Sequence, residues 1–176
     1  MSNANVTVVG PHDSQAIVGP QGQQLVPCVT TESCGSTDLS AGMVVMPPAT
    51  NSLLHHHVHT NIVVMCVRGW AATLIGPELQ PRFHGPGEFI YVPAGVLHMA
   101  VNLSVSDALV AVEVRTDPNF NDDVVVAADG QVEATAVASA VRDGFDGTAP
   151  HNLRRSGSRT PARFDVISTA AEVFVP

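Results

Sequence analysis

The stretch GEFIYVPAGVLHMAVN, residues 87–102, carries its own punctuation. Gly87 opens a run of aromatic and β-branched residues, EFIYV at 88–92. Pro93-Ala94-Gly95 then makes a tight turn, and His98 starts a second run aimed at whatever the first one faces. Short runs of this composition bounded by Gly and Pro predict antiparallel strands.

Working outward, the same grammar repeats. Further strands are expected at 6–9 (VTVV), 24–30, 41–47, 54–59, 62–68, 70–75, 97–102 and 107–115. Arg68-Gly69, Gly76-Pro77 and Gly85-Pro86-Gly87 read as turns between them. Nine strands with no helix among them predict an all-β sandwich or barrel and exclude a βαβ fold. Beyond Asp117-Pro118 the character changes. NDDVVVAADGQ reads as a strand and turn, and VEATAVASAVRD (132–143) as one short helix stopping before Gly144. Residues 146–163, rich in Gly, Pro, Ser and Arg, read as a flexible loop or tail. The final FDVISTAAEVFVP reads as a returning strand or helix.

With 176 residues the chain fits a single domain, 1–176. A hydrophobic content of 45% against 14% charged residues excludes a disordered class, and the longest apolar run, 62–67, is too short to span a bilayer. No basic segment followed by an apolar one marks the start, so a cytoplasmic protein is expected, with no membrane partner. The net charge is −8 and all eight basic residues are arginines. An acidic chain without a basic stripe repels phosphate backbones, so no nucleic-acid partner is expected. Cys28, Cys34 and Cys66 lack a CxxC spacing, which argues against a disulfide framework or thiolate zinc site. Cys66, inside the apolar run, reads as a small core residue.

The chemistry is concentrated in LLHHHVHT, residues 53–60. The cluster is internal and interrupted by Val58, unlike an affinity tag. On a strand, alternation places His55, His57 and His59 on one face and His56 on the other. Imidazoles at i and i+2 stand about 6.5–7 Å apart at Cα, close enough to converge on one ion. The plainer alternative is an ordinary polar strand, and a pair of histidines alone would not decide the matter. A third ligand comes from His98.

Together, HxH followed by GxxxxxPxGxxHxxxN (Gly87, Pro93, Gly95, His98, Asn102) resembles the cupin family, over about residues 40–115. The resemblance implies a cupin-type jelly-roll β-barrel, here with one short C-terminal helix. It also implies a divalent metal held by the two motif-one histidines and His98, and a homodimer. The first motif departs from the family pattern: counting back from Gly69, Ile62 stands where a glutamate is usual. Two registers remain open. His55 with His57 keeps the spacing to Ile62; His57 with His59 brings the pair nearer the apolar strand. The second is favoured, giving metal ligands His57, His59 and His98, with His55 at the mouth as a substrate-contacting catalytic group. In the first register His59 becomes a fourth ligand. Glu113, on the following strand, is the best nearby carboxylate and a candidate general base. His84 reads as a loop residue, and Tyr91, Trp70 and Met99 as core.

Three neutral histidines leave a bound ion its full +2 charge and open positions. By resemblance to three-histidine cupins, the expected function is a non-haem Fe(II) dioxygenase acting on a chelating oxygenated or thiol small molecule. Fe2+ is favoured over Zn2+, Ni2+, Mn2+ or Cu2+. The alternatives are a non-redox zinc-type cyclase, isomerase or lyase, and a non-catalytic small-ligand-binding module.

Overall fold

A computed structural model describes residues 6–147, so the expectations for 148–163 and the final segment lie outside the described residues. Eleven strands form two antiparallel sheets. In chain order they are β1 (Ile17–Val18), β2 (Gln24–Val29), β3 (Ser40–Met46), β4 (His55–His57), β5 (Ile62–Arg68), β6 (Ala71–Ile75), β7 (Gln80–His84), β8 (Phe89–Val92), β9 (His98–Asn102), β10 (Leu109–Arg115) and β11 (Val124–Val126). One sheet runs β1-β2-β3-β10-β5-β8 and the other β11-β4-β9-β6-β7. The expected all-β jelly-roll class is present, with a single longer helix among the described residues, α2 (Gln131–Asp143), preceded by the one-turn α1 (Thr31–Cys34).

The side-chain alternation of the strands builds the interior. Along β3 every second residue, Ser40, Gly42, Val44 and Met46, is buried. Along β10 the matching inward row is Leu109, Ala111, Glu113 and Arg115. Between the sheets Leu25, Val44, Met46, Cys66, Ala71, Leu109, Ala111 and Phe120 form one apolar cluster. Cys66 is wholly buried there, and burial pushes its thiol up to about 11, as suits a core residue.

The outer face of the second sheet is covered by α2. Ala134 and Ala138 pack on Ala72, Leu74, Met99 and Val101, a second apolar cluster that explains why the face of β6 and β9 turned away from the histidines is apolar. Polar clamps fix the helix. Gln131 accepts from the Leu54 N–H at 2.9 Å and donates to the Leu54 carbonyl at 2.8 Å, while Arg142 donates to the carbonyls of Asn102 and Thr50.

The second motif is chiefly architectural. Gly95 sits at φ +77°, a left-handed conformation that glycine takes without strain, and its N–H donates to the His57 carbonyl at 2.7 Å. The turn is thereby docked on β4. Asn102 donates to the carbonyls of Met46, Pro47 and Asp107 and accepts from the Ser104 N–H, tying the ends of β3 and β9 together.

Some expectations need correction. Residues 6–9 form no strand. β7 was not anticipated because Pro81 interrupts its pattern; an edge strand tolerates the missing N–H, and β7 is the edge of its sheet. Tyr91 is 60% exposed on β8, not core, and its hydroxyl donates to Asn61.

Candidate metal centre

β4 and β9 are neighbours, and their register sets His55 directly opposite His98. His57 follows two residues on, so the three imidazoles share the inward face. Ring centroids lie 4.2 Å apart for His55 and His98, 5.4 Å for His55 and His57, and 5.5 Å for His57 and His98. One nitrogen from each lies within 4.8 Å of the others.

His59 does not join them. β4 ends at His57, because the backbone N–H groups of His59 and Thr60 turn to donate to Asp123 Oδ2, both at 2.8 Å. Alternation stops there, and His59 is left exposed. His55, expected at the mouth, takes its place beside His57 and His98, in the register that preserves the spacing to Ile62. His56 is half-buried and pairs opposite Val125 of β11.

Each clustered ring is pinned through Nδ1. His55 Nδ1 lies 2.7 Å from the Leu53 carbonyl, and His98 Nδ1 lies 2.9 Å from the Val96 carbonyl. A carbonyl only accepts, so both Nδ1 atoms carry the proton and both Nε2 lone pairs are free to ligate. His57 Nδ1 faces Asp123 Oδ1 at 3.3 Å, a carboxylate partner of the kind that orients metal-bound histidines. Its Nε2 is buried without a hydrogen-bond partner. Burial, reinforced by neighbouring positive charge, pushes His55 down to about 2 and His57 to about 4, and burial lowers His98 as well. The three rings are therefore neutral at ordinary pH, as ligands must be. An orphaned Nε2 amid three neutral, oriented imidazoles fits a divalent ion of the zinc or iron type.

Asp123 escaped sequence reasoning, since no spacing links it to residues 55–57. Partial burial works against its charge, but hydrogen bonds from His59, Thr60 and His57 hold its carboxyl at about 2. The anionic form, which orients His57, persists across the whole useful pH range.

The rings open on a mainly apolar cavity with room for water-sized groups over ≈ 50 Å³. Val44, Ile62, Val64 and Val92 supply apolar walls, and Glu113 and Arg115 of β10 also line it. Ile62 thus presents a hydrocarbon where a carboxylate would have been a fourth donor. Glu113 is inward and buried, paired with Arg115 Nη2 at 2.7 Å. Burial raises its carboxyl even against the pull of that guanidinium. His84 is not a loop residue: it ends β7, lines the same cavity, and places Nε2 3.0 Å from Thr73 Oγ1.

Comparison with known proteins agrees with this architecture. Among solved structures, an oxalate decarboxylase variant from Bacillus subtilis superposes with a TM-score of 0.55 at 19% identity, over 65% of this chain and 30% of that one. KdgF from Halomonas sp. gives 0.53 at 18% identity, over 67% of this chain and 98% of that one. A sugar phosphate isomerase of the cupin superfamily from Silicibacter pomeroyi gives 0.51 at 19% identity, over 62% and 75%. The chain spans less than a third of the length of the oxalate decarboxylase chains, and these likenesses bear on the fold alone. No curated protein sequence matches. Among the described residues, no helix is long and apolar enough to cross a membrane. The family model for Cupin matches residues 12–141. That match covers most of the chain, including both histidine motifs and helix α2, and the chain belongs to the cupin family.

Proposed function

We propose that the protein is a metal-dependent enzyme acting on a small molecule, with His55, His57 and His98 as the metal ligands. The observation that carries this reading is the set of three neutral imidazoles whose Nδ1 atoms are all engaged, leaving each Nε2 free, with one nitrogen of each ring within 4.8 Å of the others. A divalent ion there would act as a Lewis acid with open positions for a chelating substrate.

Two chemistries suit the site. An Fe2+-dependent dioxygenase is supported by the donor set: without a carboxylate ligand the ion keeps its full charge and has room for both substrate and oxygen. The apolar walls exclude water from that space. A non-redox isomerase, lyase or decarboxylase is supported by Glu113, a buried carboxyl facing the same cavity that can hold or accept a proton. The fold's occurrence in an oxalate decarboxylase and a sugar phosphate isomerase is consistent with the second chemistry but does not select it.

The test is metal analysis of untagged protein, followed by an oxygen electrode. Stoichiometric iron, with oxygen uptake on adding a chelating diketone or thiol, supports the dioxygenase. Stoichiometric zinc or manganese with substrate turnover and no oxygen uptake supports the non-redox enzyme. Ligand binding without turnover would make the protein a binding module, and absence of metal from the folded protein would overturn the whole reading. A homodimer in the cytoplasm remains the expected setting.

A further inference from the structure

Arg115 is the largest fully buried side chain of the described residues, 1% exposed at the end of β10. Its Nη2 meets Glu113, but Nε and Nη1, which carry three of its five N–H groups, have no partner. Directly across the ladder, Ser40 Oγ is also buried without a partner. Leaving charged donors buried and unused is costly, so each such group calls for a partner.

The guanidinium is also held still. Its Cζ lies 4.6 Å from the centre of the Phe120 ring, a cation–π contact. Phe120 itself is fixed by its N–H donating to Asp117 Oδ1 at 2.8 Å and by packing against Gly42. Arg115 lines the same cavity as the three imidazoles, and its charge reaches all three, disfavouring their protonated forms. With neutral histidines, one guanidinium, one carboxylate and a divalent ion, the cavity carries a net charge of about +2 even with Glu113 ionised, and a low-dielectric space of that sign attracts an anion.

We propose that Arg115 is the recognition group for a carboxylate on the substrate, placing a small carboxylic acid in the cavity with one end on the guanidinium and the other on the metal. Carboxylate is favoured over phosphate by shape. The planar fork of Arg matches the planar carboxylate, with Ser40 Oγ on the neighbouring strand as an adjacent polar group. The inference deepens the metal-enzyme reading and rests on it only for the second end of the ligand.

The test compares malonate with its neutral diamide by calorimetry on the metal-loaded full-length protein and on the same protein after metal removal. Metal content is measured separately. The variants are Arg115→Lys, which keeps the charge and loses the fork, and Arg115→Met combined with Glu113→Gln, which leaves no buried charge unpaired. Wild type is expected to favour malonate at least tenfold, with part of the preference surviving metal removal. The double variant should lose the surviving part while keeping its metal, and Arg115→Lys should fall between. Equal affinity for acid and diamide in wild type, or an undiminished preference in the double variant, would overturn the proposal. Absence of metal in wild type would sink the enzyme reading alone, because the metal-free preference for malonate still reports on Arg115.

Discussion

Replacing Asp123 with asparagine isolates the orientation of one ligand. The substitution keeps the size of the side chain and an acceptor oxygen for the His59 and Thr60 N–H groups, each 2.8 Å away. The turn after β4 should survive. What changes is the atom facing His57 Nδ1 at 3.3 Å, where a carboxylate oxygen gives way to an amide N–H. Two donors cannot face each other, so Nδ1 must become the acceptor and the proton moves to Nε2, which then has no lone pair for an ion. Restoring the ligating tautomer means breaking that new hydrogen bond or turning the amide away from the backbone donors. Partners of this kind are worth about 10–100-fold in metal affinity, or about 1.4–2.8 kcal/mol. Competition against a chromophoric chelator should show a weakening in that range, while circular dichroism and the thermal midpoint of the metal-free protein stay near wild type. An unchanged affinity in a folded Asp123→Asn protein would refute the role assigned to Asp123.

The ligand set makes a sharper distinction: His55→Ala and His98→Ala should abolish stoichiometric metal, whereas His59→Ala should retain it, read by elemental analysis after gel filtration. Retention by His55→Ala together with loss by His59→Ala would restore the register first favoured. For pH, burial lowers His55, His57, His84 and His98 below 6.5, with His57 and His84 near 4. Between about pH 6.5 and 4 the unfolded chain therefore binds more protons than the native one, so stability rises with pH across that window and is lost on acidification. The His84 shift alone amounts to at most roughly 3 kcal/mol below pH 4, and melts of metal-free protein should fall steadily from pH 7 to 4.5; a flat profile contradicts the burial of these rings. In the core, Gly42→Ala would set a methyl 2.5 Å from the Val26 carbonyl and 2.9 Å from Phe120. A loss of about 1–3 kcal/mol is expected in urea unfolding, and a neutral result would mean that β2 and β3 separate more easily than their ladder suggests.

The strands were legible where polar and apolar residues alternate or where glycine and proline bracket a run. β5 matches its expected span of 62–68 at both ends, and α2 differs from its expected start by one residue. β7 was hidden by Pro81. The inward face of β10 could not be chosen from sequence, because Val110, Val112 and Val114 make the opposite row the more apolar one; only the pairing with the buried row of β3 assigns Glu113 and Arg115 to the interior. The histidine register failed for a different reason. Alternation was extended through Val58 and His59, but Asp123, more than sixty residues away, ends the strand by capturing the two N–H groups that would have continued it.

That capture has a thermodynamic counterpart. His55 and His98 are oriented by carbonyls two residues before them, in the segments that lead into their own strands, whereas His57 is oriented by a residue at the entrance to β11. β11 is a three-residue edge strand that leads into α2, and an element so short belongs among those that open first. Loading an ion on His57 and closing the 123–143 segment onto its sheet must then favour each other by the same free energy. Metal should slow amide hydrogen exchange in β11 and at the clamp between Gln131 and Leu54, well away from the ion. Conversely, anything that loosens α2 should speed metal release.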